Sequence, residues 1–478
     1  MKTERQTEDK KNKSRLDLLN HLEYIKRRKK MSKKNKVIKP ELLGGFRDFL
    51  PEIMIPRQAV INKITETMEK FGFLPLDTPS LERSSVLGTD EDEFKMEVYR
   101  FKDSLGEKGQ DVTLRFDLTV PLSRVVAANP EILKPFKRYQ YGKVFRKEKP
   151  QSGRYREFAQ FDADIVGSDS VMADIEIIQL MYQVMKNLEV GEFVIRFNNR
   201  KILNGLAKKA NFGSGKSENV FRVLDKLEKI GLGEVVKELQ RKPDNEYDDT
   251  ALALSDRSMS KIKEFLSLSS KISELKKFFR GITIAEEGIK ECEEIIEALT
   301  KLKIPKENWQ FDLSIARGLG YYTGPVFETT LSEIPEIGSV FSGGRFDELI
   351  MRFTGEKVPA TGASVGLDRL IAALEKLGKL PKKKYTAKVI IARIDRKLDD
   401  DLLTFADELR QAGIPTEIFL GGPEISLKEQ IIYTAKREIP YMVIFGEEEA
   451  RAGKFKLKNM QKRKEELLTK EELITRLS

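Results

Sequence analysis

The sequence predicts an α+β, multidomain protein, and three stretches carry that prediction. Residues 139–167 read as two strands joined by a basic loop, because aromatic and β-branched residues flank a Lys-Pro-Gln-Ser-Gly turn that would break a helix or a continuous strand. Residues 201–306 are rich in Lys, Glu and Leu, with helical spacing at Val223, Leu224, Leu227 and Ile230 and little strand signal. From Ala387 onward, short apolar runs alternate with helical patterns, as in a compact α/β domain with a largely parallel sheet. A chain of 478 residues is too long for one ordinary core, so three or so domains are expected.

Composition narrows the function classes. One cysteine, Cys292, and one histidine, His21, build neither a disulfide framework nor a Cys/His zinc site. No apolar run reaches the length of a membrane span and no signal-peptide core stands near the start, so a cytoplasmic setting is expected. Residues 1–40 hold 15 Lys/Arg and 5 Asp/Glu, which accounts for the whole net charge of +10 and leaves the body neutral. Any RNA affinity in the body must then come from local patches. Residues 1–38 read as a solvated, disordered tail, or as sequence preceding a start at Met31, ahead of the other reading as an RNA-binding basic arm.

In chain order, Gly44-Gly45-Phe46-Arg47-Asp48 precedes a helix expected from about Pro56 to Phe71 and an extended run from Leu76 to Leu81. Residues 111–120 alternate: Val112, Leu114 and Phe116 point one way, and Thr113, Arg115, Asp117 and Thr119 the other. In the central pair of strands, Arg156, Gln160, Asp162 and Asp164 share a polar face, with Tyr155, Ala159, Phe161, Ala163 and Ile165 on the core face. Arg146, Arg154 and Arg156 flank the loop, and a fork of rigid guanidinium groups suits polyphosphate.

Within the helical middle, Gly213-Ser214-Gly215-Lys216-Ser217 mimics a phosphate-binding loop but starts from Ala210 and follows a helical run, so a nucleotide role is not expected there. Trp309, Phe311, Leu313 and Ile315 alternate inward along a strand that delivers Arg317-Gly318-Leu319-Gly320-Tyr321-Tyr322-Thr323-Gly324. Its glycines allow close approach of backbone to a ligand, Arg317 offers a fixed cation and Tyr322 a phenol. Gly343-Gly344-Arg345-Phe346-Asp347 and then Pro359 to Leu370 read as a glycine-bearing strand entering a helix; the helix start and Arg369 together make an anion site. After a Lys382-Lys383-Lys384 linker, strands are expected at 389–391, 415–420 and 441–445, with helices at 402–412 and 427–437.

Taken together, Phe145-Arg146, the loop from Lys149 to Arg156, the strand from Gln160 to Gly167, the Arg317–Gly324 run and the Gly343–Leu370 stretch resemble the signature motifs of class II aminoacyl-tRNA synthetases, in their histidyl form. The resemblance spans about residues 41–460. It implies an antiparallel catalytic sheet wrapped by helices (41–200 and 307–380), a helical insertion (201–306) lying over the tRNA acceptor arm, a C-terminal anticodon-binding α/β domain (386–478) and an N-terminal extension (1–40). The implied activity is ATP-dependent adenylation of histidine followed by transfer to tRNA(His), with magnesium accompanying ATP, no zinc, and a homodimer built on the first motif.

By the same resemblance, Arg146 and Arg317 are catalytic and flank the α-phosphate. Asp117, Thr119 and Gln160 cage the α-ammonium, Asp164 and Tyr322 meet the imidazole, and Tyr321 also belongs to the histidine-binding set. Glu148, Arg154 and Arg369 join Arg146 and Arg317 in holding ATP, and Gln151 reaches the acceptor end. Lys428, Gln430 and Lys436 are candidate RNA contacts. The family usually carries Asp where Gly320 stands, and its bacterial members commonly carry Glu where Asp164 stands. The alternative is a non-catalytic, histidine-sensing regulator of the first enzyme of histidine biosynthesis. Such paralogues typically lose the motif arginines and the C-terminal domain, and both are kept here.

Overall fold

The computed structural model describes residues 38–87, 98–102, 111–147, 155–243, 248, 251–268, 271–316, 321–382, 385–422 and 424–478. The chain divides after Arg47, and the fold set out below is that of Asp48–Ser478. The basic stretch up to Val37, and Lys383 and Lys384 of the linker, lie outside the described residues.

Helix Pro51–Lys70 opens this unit. It starts five residues before the expected Pro56, because Pro51 occupies the first helical turn, where its missing N–H costs nothing. Its buried stripe of Val60, Ile61, Ile64 and Met68 faces the main core. The strands follow as β1 (Leu74–Pro75), β2 (Leu81–Arg83), β3 (Arg100–Lys102), β4 (Asp111–Leu114), β5 (Phe136–Phe145), β6 (Glu157–Val166), β7 (Phe193–Asn199), β8 (Trp309–Phe311), β9 (Pro325–Leu331), β10 (Phe341–Arg345) and β11 (Ala360–Gly366). Among the described residues β2, β4 and β3 make a small antiparallel sheet. The others form an eight-stranded sheet in the order β1-β5-β6-β11-β10-β9-β7-β8. Its six central strands are mutually antiparallel, and β1 and β8 join the edges in parallel.

The hairpin expected around the basic loop is present: β5 and β6 pair from Phe136↔Val166 to Phe145↔Glu157. The expected strand over 111–120 is shorter. β4 ends at Leu114, and Thr119 begins the helix Thr119–Ala128. Pro121 sits in that helix's first turn, and Asp117 Oδ1 accepts the Val120 N–H at 3.1 Å, so this segment reverses direction where alternation alone would extend it.

Between β7 and β8 the described residues run through helices Arg200–Ala210, Ser214–Leu224, Leu227–Gln240, Asp256–Ser267, Ile272–Phe278 and Thr283–Lys301. The phosphate-loop mimic is a helix–helix junction. Gly213 begins helix Ser214–Leu224, and Lys216 Nζ donates to the Leu252 carbonyl at 2.6 Å. Helix Thr283–Lys301 returns to the sheet, where Glu291 accepts from Asn199 and from Lys201, each at 2.6 Å.

The C-terminal region holds β12 (Val389–Ile391), β13 (Thr416–Ile418), β14 (Tyr441–Ile444), β15 (Phe455–Asn459) and β16 (Lys464–Leu468), in sheet order β13-β12-β14-β15-β16. The first three pair in parallel; β14-β15 and β15-β16 are antiparallel, so the sheet is mixed where a largely parallel one is expected. Gln430, read as an RNA contact, is buried. Its amide donates to the Arg393 carbonyl at 2.8 Å and its oxygen accepts the Arg393 N–H at 3.0 Å, which ties helix Leu427–Lys436 to the end of β12.

Candidate active site

The polar face of β6 opens onto a cavity of about 240 Å³ lined by Asp117, Thr119, Arg146, Gln160, Asp162, Asp164, Tyr321, Tyr322, Glu328, Ser342, Gly343 and Gly362, among others. A second cavity, of about 190 Å³, continues from it through Arg146, Gln160, Ser342 and Ser364 to Tyr155, Phe158 and Arg369. The sequence-predicted residues Asp117, Thr119, Gln160, Asp164, Tyr321 and Tyr322 therefore meet in one hollow, Arg369 lies in the next, and Arg146 borders both. Glu148, Gln151, Arg154, Arg317 and Gly320 lie outside the described residues.

Glycine occupies β10 and β11 where they line the cavity, at Gly343 and Gly362. A Cβ at Gly343 would overlap the Gly362 carbonyl, and one at Gly362 would overlap the Asp164 carboxylate. Register then sets the side chains in order: Gln160 faces Gly366, Asp162 faces Ser364 and Asp164 faces Gly362. Gln160 Nε2 donates to Ser364 Oγ at 2.7 Å, and Ser364 donates on to Asp162.

Among the described residues Asp117 Oδ2, Gln160 Oε1 and Asp164 Oδ2, buried acceptors in this wall, make no hydrogen bond; the last stands 2.7 Å from the Arg138 guanidinium, and the first two face the cavity without such a cation. Unpaired buried acceptors are costly in an apo site and suit a cationic donor. Burial pushes Asp117 up to about 6, against the Val120 N–H and the charge of Arg146, which act to lower it. Asp164 is raised in the same way, chiefly by burial, with Arg138 opposing the rise and the charges of Asp162 and Asp117 adding to it. Tyr321 and Tyr322 are pushed well up by burial, so both remain protonated donors at neutral pH. Their rings stand edge to face at 5.0 Å, and the Tyr321 hydroxyl bonds Thr119.

On the nucleotide side, Arg146 Nε donates to the Phe116 carbonyl at 3.1 Å and its guanidinium lies 5.2 Å from the Phe158 ring centroid. Arg369 stands in the first turn of helix Leu367–Lys376 and donates to the Ser339 carbonyl at 2.5 Å. The residue before it, Asp368, accepts from Arg57 at 2.9 Å and from the Ala159 N–H at 2.7 Å; this buried bridge holds the helix start against helix Pro51–Lys70 and β6.

The matched families fit this geometry. Residues 45–370 match the histidyl-tRNA synthetase family, and residues 388–478 match an anticodon binding domain. The first match alone covers more than half of the chain. The chain belongs to the histidyl-tRNA synthetase family. Among curated relatives of the synthetase, a histidine–tRNA ligase of Helicobacter hepaticus is 41% identical over 435 residues, covering 89% of this chain and 95% of the relative. One of Wolinella succinogenes is 40% identical over 440 residues, 90% of this chain and 96% of the relative. The crystal structure of histidyl-tRNA synthetase from Nostoc sp. PCC 7120 superposes with a TM-score of 0.79 at 31% identity, covering 92% of this chain and 99% of that one.

Sequence reading alone gave no role to Ser364, Ser342 or Glu328 in the synthetase's cavity, and none of its own to Asp162. For Asp162 the signal was present, since it shares the alternating face of Gln160 and Asp164. Arg345, at the end of β10, lies in the core, where it donates to Asp174 at 2.6 and 3.0 Å.

The raised pKa of Asp117 gives a signed expectation. A carboxylate with a folded pKa near 6 carries its proton below that value, and an ammonium ligand needs it ionised, so ligand binding at pH 6 should release protons and affinity for histidine should rise from pH 5 to pH 7. Calorimetry at pH 6 in buffers of different ionisation enthalpy measures the release. The ring of free histidine contributes as well, and the share owed to Asp117 is the part that Asp117→Asn abolishes.

Proposed function

We propose that the chain acts as a histidine–tRNA ligase, and the observation that carries this is the pair of unpartnered acceptors, Asp117 Oδ2 and Gln160 Oε1, in a cavity that also holds Asp164 and Tyr322. The cage has a cation end for the α-ammonium and an acceptor-plus-phenol end for the two imidazole nitrogens. A site that hydrogen-bonds both ring nitrogens rejects residues of similar size that lack them, which shape alone does not do. With the amino acid so held, its carboxylate attacks the ATP α-phosphate in line; the bond to the β-phosphate breaks and pyrophosphate leaves. The histidyl group then passes from the adenylate to the terminal ribose of tRNA(His), and no covalent bond to the protein forms. Positioning and neutralisation of phosphate charge supply the catalysis.

In this reading Arg146 and Arg317 face the α-phosphate, Arg154 and Arg369 take the β- and γ-phosphates, and Glu148 and Gln151 serve the nucleotide and the acceptor end. Magnesium enters on the nucleotide's phosphates, a homodimer works in the cytoplasm, and the C-terminal region meets the anticodon. The structural match to a Bacillus halodurans protein titled as an ATP phosphoribosyltransferase regulatory subunit/histidyl-tRNA synthetase, at 23% identity and TM-score 0.69, speaks to the fold alone.

The test is exchange of labelled pyrophosphate into ATP with each of the twenty amino acids and no tRNA. Exchange with histidine alone is expected. Asp164→Ala should raise the KM for histidine by about 100-fold, in line with loss of a buried hydrogen-bonding partner, and leave that for ATP nearly unchanged. Histidine binding without exchange would instead make the protein a sensor.

A further inference from the structure

Arg138 is among the largest wholly buried side chains in the described residues, with no exposed surface, and it lies directly across the β5–β6 pair from Asp164. Its Nη2 stands 2.7 Å from Asp164 Oδ2 and donates to the Leu118 carbonyl at 3.1 Å. Leu118 is the residue between Asp117 and Thr119. One guanidinium thus touches both halves of the amino-acid cage, the strand carrying the ring acceptor and the turn carrying the ammonium acceptors.

A nearby arginine shows what a purely structural role looks like. Arg115 is also buried, and its donors go to the carbonyls of Thr78, Pro79 and Lys143. Arg138 differs, because its Nε and Nη1 make no hydrogen bond among the described residues. Backbone takes only one bond from this group, at Leu118, and its charge faces the Asp164 carboxyl. Asp117, Asp162 and Asp164 are all buried around the cavity; burial raises the pKa of each, and the charge of Arg138 acts against that rise at all three. On its other side Asp164 lies over Gly362, where any Cβ would displace it.

We propose that Arg138 is a specificity-determining positioning residue: it holds the Asp164 carboxyl aimed at the ligand ring, at a fixed spacing from the ammonium-binding turn at Leu118. This rests on the assignment of Asp164 to the ring. Arg138 touches no substrate and acts only through the two segments that do.

Pyrophosphate exchange on the full-length protein tests it with Arg138→Met, Arg138→Lys, Asp164→Asn and the double variant Arg138→Met/Asp164→Asn. Arg138→Met is expected to raise the histidine KM about 30-fold, with the ATP KM changed less than about twofold. Arg138→Lys keeps the charge but places it on a shorter, more flexible stem that does not fix the Asp164–Leu118 spacing, so it should fall between, with a rise of about fivefold. In the Asp164→Asn background, Arg138→Met should add less than about threefold, because the two residues act as one unit. If Arg138→Met does not fold, the Lys variant decides, and an unchanged histidine KM there overturns the proposal. A full additional effect of Arg138→Met on top of Asp164→Asn also overturns it. An unchanged histidine KM in Asp164→Asn alone overturns instead the assignment of Asp164 on which it rests.

Discussion

Replacing Arg146 by Ala is expected to slow histidine-dependent pyrophosphate exchange by about 10²–10³-fold at saturating ATP and histidine, the range for removing one preorganised charge from a developing anion. Among the described residues Arg146 is the basic side chain shared by the two cavities, at the border where an amino-acid carboxylate held by the first would meet a nucleotide phosphate held by the second. Its Nε is already committed to the Phe116 carbonyl and its plane lies over Phe158, so the guanidinium is preorganised before any ligand arrives. Lysine cannot reproduce that anchor and fork together, and Arg146→Lys should recover no more than about tenfold of the loss. The side chain is only partly buried, so the variant should fold. A loss below tenfold in Arg146→Ala, at full saturation, would remove Arg146 from the catalytic role.

How far the site was legible depended on whether local pattern or distant pairing fixed each residue. Gln160, Asp162 and Asp164 could be placed on one face because β6 is a long strand with a core face of Phe161, Ala163 and Ile165, and alternation does the rest. Arg138 could not, because Lys137-Arg138 reads as an ordinary exposed basic pair until the β5–β6 register sets it opposite Asp164. Asp117 lines the cavity but stands in the turn before a helix, not on the expected strand. The strand reading failed because a capping carboxylate and Pro121 turn the chain into a helix within four residues. The β15–β16 hairpin left almost no trace, since β16, Lys-Glu-Glu-Leu-Leu, is largely exposed and its pairing is made by backbone and by cross-strand charges such as Lys458–Glu465. Gln430 failed for a related reason: a polar side chain on a helix looks like a surface contact in sequence, and only its buried partners reveal a structural role.

Arg345 also carries the largest expected effect on stability. Its guanidinium donates from Nε and Nη2 to Asp174 Oδ2 and from Nη1 and Nη2 to the carbonyls of Ser168 and Ser170, both at 2.9 Å, so it pins β10 to the turn that starts helix Val171–Asn187. The pair is 5% and 0% exposed. Arg345→Met should cost about 3–5 kcal/mol, because it strands a buried carboxylate and leaves two carbonyls without donors. Arg345→Met/Asp174→Leu should cost less than Arg345→Met alone, since the stranded charge is then gone. The pH dependence follows from Asp174, whose pKa burial raises to about 6 even beside Arg345. A folded value above the unfolded one means that the native state holds the extra proton, so the contribution favours folding at low pH and is lost as pH rises through the folded pKa. Removing Arg345 raises that folded value further, so the deficit of Arg345→Met should be greater at pH 8 than at pH 5. Denaturant unfolding followed by the fluorescence of Trp309 reads this directly, because the chain's single tryptophan is buried on β8 of the same sheet. A deficit that does not change between the two pH values would mean that the lost carbonyl contacts, and not the stranded charge, account for the cost.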